Sequence, residues 1–189
     1  MQNPTHKKVF IIHGFEGSPN GGWRPYLMRE LDKEKIYTCS LSMASPEAPK
    51  LEEWLEEIKR HVDRNKSDEV YLVGHSLGGT AILRYIEKYS SNNLKGIVCV
   101  SAPCHQNSND KIIEFLASDF DWKKMKNKAD KVAVIHGDDD PLVPVSDAHE
   151  IARELGGKLT IIPNGKHLNG SAGFVELPEA LKVLIEMIK

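Results

Sequence analysis

Cysteine is scarce in this chain, and the three present, Cys39, Cys99 and Cys104, fall in no metal-ligand spacing. An odd number, with two members in apolar strand-like segments, suits plain packing better than disulfides or zinc, so no metal is expected. A surplus of one charge is lacking as well. The 25 Lys and Arg nearly balance the 27 Asp and Glu, for a formal net charge of −2, which leaves nothing to attract phosphate backbones or anionic membrane surfaces. Neither nucleic acid nor membrane partners are expected. Long hydrophobic runs are also missing: the first, Val9 to Ile12, is too short for a signal peptide's apolar region, and none approaches the ~20 residues of a membrane span. The expectation is a soluble cytoplasmic protein. Repeats, low-complexity tracts and linkers are absent too. What is present, 40% hydrophobic and 28% charged residues over 189 positions, excludes a disordered or fibrous chain and suits one globular domain spanning residues 1–189.

Six short β-like runs are spaced along the chain: Lys8–His13, Ile36–Leu41, Glu69–Gly74, Lys95–Ser101, Lys131–His136 and Lys158–Ile162. Several are nearly continuous apolar runs, such as Ile97-Val98-Cys99-Val100, as expected when both sheet faces are covered. Helical stripes lie between them. Leu51, Trp54, Leu55, Ile58 and Val62 form one apolar face, opposite Glu52, Glu53, Glu56 and Glu57. Pro144 opens a second helix, which Gly156 ends, and Pro178 opens the last. Strands alternating with helices predict an α/β fold with right-handed crossovers and helices on both faces of a six-stranded parallel sheet. The order 2-1-3-4-5-6 is expected, since a chain that starts centrally, moves outward once and reverses makes a switch point beside the third strand.

At the end of that third strand, Gly74-His75-Ser76-Leu77-Gly78-Gly79 reads as a tight turn into a helix that begins with small residues. Gly-x-Ser-x-Gly in that context is a nucleophile elbow, with Ser76 lifted above the sheet. A dinucleotide fingerprint fails because it needs glycine where Ser76 stands, so no cofactor is expected. A serine hydroxyl is a poor nucleophile and requires a histidine base oriented by a carboxylate. After the fifth strand, Asp138, Asp139 and Asp140 compete for the acid; Asp140 is preferred because the end of the turn can point back across the sheet, with Asp138 as the fallback. After the sixth strand, a Gly-bounded loop carries one histidine, His167, the candidate base. The other histidines read differently: His6 and His61 as surface, His105 as partnerless, His75 and His136 as packing beside the motifs. Backbone amides must hold the oxyanion. Leu77, following the nucleophile, supplies one, and Phe15, in the loop after the first strand, is the candidate for the other.

The motifs His13-Gly14-Phe15, Gly74 to Gly79, Gly137-x-x-Asp140-x-x-Val143-Pro144 and His167 resemble an α/β-hydrolase. More narrowly, Ser18-Pro19-Asn20 with Trp23, Asp121-Trp122 and Gly173-Phe174 resemble the small serine hydrolases grouped with retinoblastoma-binding protein nine and YdeN. The resemblance covers nearly the whole chain. It implies a compact core without a large cap and a triad of Ser76, Asp140 and His167; it supplies no natural substrate, and the function expected of such a triad is that of a carboxylesterase acting on a small-molecule ester through an acyl-enzyme. It departs at Leu168, where an aromatic residue often follows the histidine, which bears on the pocket wall. A non-catalytic binding protein for a protein partner or small ligand, on the same fold, is the alternative.

One long irregular stretch, Ala102 to Asp130, follows the fourth strand. Its apolar Ile112, Ile113, Phe115, Leu116, Phe120 and Trp122 are expected to wall a modest apolar pocket, and short acyl chains to be preferred.

Overall fold

The six apolar runs become strands β1 (Lys7–Ile12), β2 (Tyr37–Leu41), β3 (Glu69–His75), β4 (Leu94–Val100), β5 (Lys131–Gly137) and β6 (Lys158–Ile162) in a computed structural model that describes residues 6–89 and 91–189. Every neighbouring pair is parallel, and the order is β2-β1-β3-β4-β5-β6, as expected. The chain moves outward from β1 to β2, then returns to β3 and proceeds the other way. The gap above β1 and β3, where successive crossovers diverge, is therefore an open crevice at the strands' C-terminal ends.

Seven α-helices are seen among the described residues: α1 (Arg24–Lys33), α2 (Leu51–Arg64), α3 (Leu77–Lys88), α4 (Ile113–Leu116), α5 (Trp122–Met125), α6 (Val145–Leu155) and α7 (Pro178–Ile188). No described helix is long and apolar enough to cross a membrane. The strands' continuous apolar character follows from two cores. Val70 and Leu72 of β3 join Trp54, Ile58 and Ile82 on one face, while Tyr71 and Val73 join Trp23, Leu27 and Leu184 on the other. Alternate side chains along each strand thus find cover on opposite sides.

Gly156 ends α6 in the left-handed conformation, at φ 67°, and Pro178 occupies the first turn of α7. Both match the sequence signals. The stretch 102–130 holds only a 3-10 turn (Asp110–Ile112) and the short helices α4 and α5. Arg84 of α3 fastens it. That guanidinium donates to the carbonyls of Phe115, at 2.8 Å, and Ser118, pairs with Glu87 at 2.7 Å, and sits 3.7 Å from the Phe120 ring centre.

Candidate active site

Ser76 stands between β3 and α3 with φ 53° and ψ −123°, a conformation that costs a non-glycine residue about 1–3 kcal/mol and persists only when its surroundings enforce it. Here both ends are held. Its amide donates to the Val100 carbonyl at 2.8 Å, and its own carbonyl accepts from Gly79 at 2.9 Å. The glycines let α3 start directly against the sheet: a Cβ on Gly78 would strike the Ile12 and His13 carbonyls, and one on Gly79 would lie 2.5 Å from the Ala102 Cβ. Ser76 is thereby presented to a cavity of about 540 Å³ that it shares with Phe15, His75 and His167.

The three adjacent aspartates separate cleanly. Asp138 Oδ1 accepts from the Asn164 amide at 2.7 Å, and Asp139 Oδ1 from the Lys166 amide at 2.6 Å. Asp140, whose side chain is wholly buried, places Oδ2 at 2.8 Å from His167 Nδ1, while Oδ1 accepts from the amides of Leu142 (2.9 Å) and Val143 (3.0 Å). Burial pushes the Asp140 carboxyl up, but the His167 bond and the two amides outweigh it and hold it below the usual carboxylate range. His136 supports this turn from beneath: its Nε2 lies 3.0 Å from the Val143 carbonyl and 3.5 Å from Asp140 Oδ2.

His167 sits in a loop tied down on every side. Its carbonyl accepts from His75 Nε2 at 2.9 Å, and the carbonyl of Leu168 accepts from Trp23 Nε1 at the same distance. Burial above all, with His167 and Arg24 adding to it, drives His75 down to about 3, so this imidazole is neutral and donates. His75 therefore positions the histidine loop. Phe15 and Leu77, the expected oxyanion donors, carry amides that meet no backbone acceptor among the described residues.

Four expectations need correction. Only Ile112 of the expected apolar wall lines the cavity; Phe115, Leu116 and Phe120 are buried toward α3, and Ile113 is exposed. The stretch instead contributes Pro103, Asn107, Ser108 and Asn109. Its apolar residues serve the core because Arg84 draws the segment down onto α3. Leu168, a point of uncertainty for the wall, is fully buried in the core with Trp23 and does not line the cavity. His105, expected to lack a partner, has two. Its Nδ1 is 3.0 Å from Asp147 Oδ1 and its Nε2 3.4 Å from Glu150 Oε2, both on α6, and the Asp147 bond raises its pKa. Cys104, His105 and Glu150 come within 4.8 Å of one another, but burial holds the Cys104 thiol far above its ordinary value and both imidazole nitrogens are engaged. His61 is likewise half-buried, tilted over the Phe10 ring rather than free at the surface.

Arg24, the first residue of α1, also lines the cavity and was not singled out from the sequence. Nothing in its neighbourhood of sequence separates it from an ordinary surface arginine.

Comparison with known proteins agrees with this fold. The family model described as serine hydrolase matches residues 9–186. The hydrolase YdeN of Bacillus subtilis (strain 168) is 33% identical over 180 residues, covering 94% of each chain. Its crystal structure superposes with a TM-score of 0.88 at 32% identity, over 96% of this chain and 98% of that one. Serine hydrolase RBBP9 of Rattus norvegicus is 24% identical over 195 residues, covering 100% of this chain and 98% of its own. Est1E from Butyrivibrio proteoclasticus shares the fold, with a TM-score of 0.78 at 20% identity over 98% of this chain and 90% of that one.

Proposed function

The chain belongs to the serine hydrolase family, and from that premise we propose that it is a carboxylesterase cleaving small esters through an acyl-enzyme on Ser76, His167 and Asp140. The observation that carries the reading is the 2.8 Å contact between the buried Asp140 side chain and Nδ1 of His167, a histidine that lines the same cavity as the strained Ser76. With Nδ1–H donated to the carboxylate, His167 keeps Nε2 free to accept a proton. Ser76 Oγ attacks the ester carbonyl as His167 takes its proton, and the amides of Phe15 and Leu77 hold the resulting oxyanion. His167 returns the proton to the departing alcohol. Water then attacks the acyl-enzyme by the same route and releases the carboxylic acid. Asp140 stays ionised throughout and stabilises the imidazolium. We assign the reaction to the cytoplasm, which the unpaired Cys39, Cys99 and Cys104 suit.

A fluorophosphonate probe tests this directly. The wild-type protein should gain one adduct, on Ser76, and Ser76→Ala should gain none. Absence of an adduct on the folded wild type would reject a hydrolase and favour the binding-protein alternative. Full activity in a chelator is expected; loss restored by zinc would contradict the mechanism.

A further inference from the structure

Two arginines lie almost fully buried in this molecule, and they are treated differently. Arg84 spends its guanidinium on Glu87 and on the carbonyls of Phe115 and Ser118. Arg24, only 7% exposed, spends Nε alone, on the Ser18 carbonyl at 2.9 Å. No carboxylate lies within 4.0 Å of it among the described residues. A buried cation without a counter-ion is costly, and proteins ordinarily pair such groups. The Arg24 side chain lines the cavity that holds Ser76 and His167.

From this arrangement we propose that Arg24 recognises a carboxylate on the substrate, so that the cavity selects small esters carrying a second, negatively charged group. The inference rests on the hydrolase reading of the same site. With Nε engaged, the Nη1 and Nη2 edge of the guanidinium is left, and its two parallel N–H groups match the two oxygens of a carboxylate. Arg24 stays charged, since burial pushes it down only to about 10. The other lining groups do not compete. Among them Glu16 is the single acid and is exposed, while His75 is held neutral by burial, with Arg24's own charge contributing. Asn107, Asn109 and Asn169 add uncharged polar groups to a wall shared with Phe15, Ile112 and Leu142, so none of them opposes a negative charge on the substrate.

The experiment compares kcat/KM for two matched pairs: monoethyl succinate against ethyl butyrate, with the charge on the acyl side, and acetoxyacetate against propyl acetate, with the charge on the alcohol side. The charged-to-neutral ratio, corrected for hydroxide reactivity, is read in wild type, Arg24→Gln and Arg24→Lys, so that any loss of folded enzyme cancels. One pair should show a wild-type ratio of about 10 to 100, the range expected for a charge-assisted hydrogen bond. That ratio should collapse to one or below in Arg24→Gln and fall partway in Arg24→Lys, which keeps the charge but not the fork. Wild-type ratios at or below one in both pairs, or a ratio that Arg24→Gln leaves intact, would overturn the proposal. Binding is measured separately by calorimetry with monoethyl succinate and Ser76→Ala. Saturable binding abolished by adding Arg24→Gln supports the anion site even if no fluorophosphonate adduct forms. An adduct on Ser76 without charge preference would retain the esterase and discard the role of Arg24.

Discussion

Asp138, Asp139 and Asp140 are chemically identical neighbours that hold three different things, and only Asp140 meets His167. Mutation should separate them. Ser76→Ala and His167→Ala are each expected to lower kcat by about 10⁶, and the double mutant no further, because groups acting as a unit are not additive. Asp140→Asn should cost about 10⁴, whereas Asp138→Asn, which weakens only a loop tether, should stay within about tenfold. Steady-state kinetics on one aryl ester decides it; the reverse order would transfer the acid role to Asp138. His75 gives a second prediction, for stability. Its folded pKa of about 3 lies below the ordinary value of about 6.5, so the unfolded chain binds the extra proton. Its contribution is therefore fully present above pH ~6.5 and declines as pH falls from there toward about 3. His13, also lowered by burial, adds to the same slope. His75→Gln keeps a donor for the His167 carbonyl but cannot be protonated. Denaturant midpoints at pH 7.5 and 5.0 should therefore differ less in His75→Gln than in wild type, and an unchanged difference would mean that His75 is not the group responsible.

The elements most legible in the sequence are those whose cause is local. Short β-like runs, several of them continuously apolar, marked all six strands to within a residue or so at each end, the stripe from Leu51 to Val62 marked α2, and Gly156 marked the end of α6. The triad candidates were legible too, because each follows a strand whose end the topology brings to the crevice. What could not be read depends on contacts distant in sequence. Nothing near His105 announces Asp147 and Glu150, more than 40 residues later, and the apolar residues of 102–130 look alike whether they face a cavity or α3. Arg24 is different, since its partner, the Ser18 carbonyl, lies only 6 residues upstream, but nothing in the residue types shows that this loop folds back over the side chain. Two glycines at element ends show the same contrast in energetic form. Gly78→Ala forces a Cβ onto the Ile12 and His13 carbonyls, where backbone must yield, and should cost about 3 kcal/mol or more. Gly156→Ala meets nothing within 4 Å and should cost only the left-handed penalty, about 1 kcal/mol. Thermal and denaturant unfolding of the two variants checks the difference; equal losses would mean that the β1 to α3 contact is softer than its geometry implies.

Across the whole molecule, the sheet is a rigid platform and every candidate functional group rises from its C-terminal edge: the loop after β1, the elbow after β3, the segment after β4, and the turns after β5 and β6. These five segments enclose about 540 Å³, and what they present sets the acyl preference. An apolar wall would stabilise each added methylene by about 0.8 kcal/mol, close to a fourfold gain in kcat/KM per carbon until the wall is met. The wall found is mixed: Asn107, Ser108, Asn109, Asn169 and Ser171 stand beside Phe15, Pro103, Ile112, Pro141, Leu142 and Val143. A growing alkyl chain would desolvate those amides and hydroxyls without pairing them, which offsets the gain from its own burial. Short chains should therefore remain preferred, as first expected, but for a different reason. A series of 4-nitrophenyl esters from acetyl to decanoyl, at fixed leaving group, should give kcat/KM rising by less than about twofold per methylene at the short end and falling beyond about hexanoyl. A steady fourfold rise per carbon would mean that an apolar groove opens when acyl chains bind, and the stretch 102–130 would have to leave Arg84 and α3 to line it.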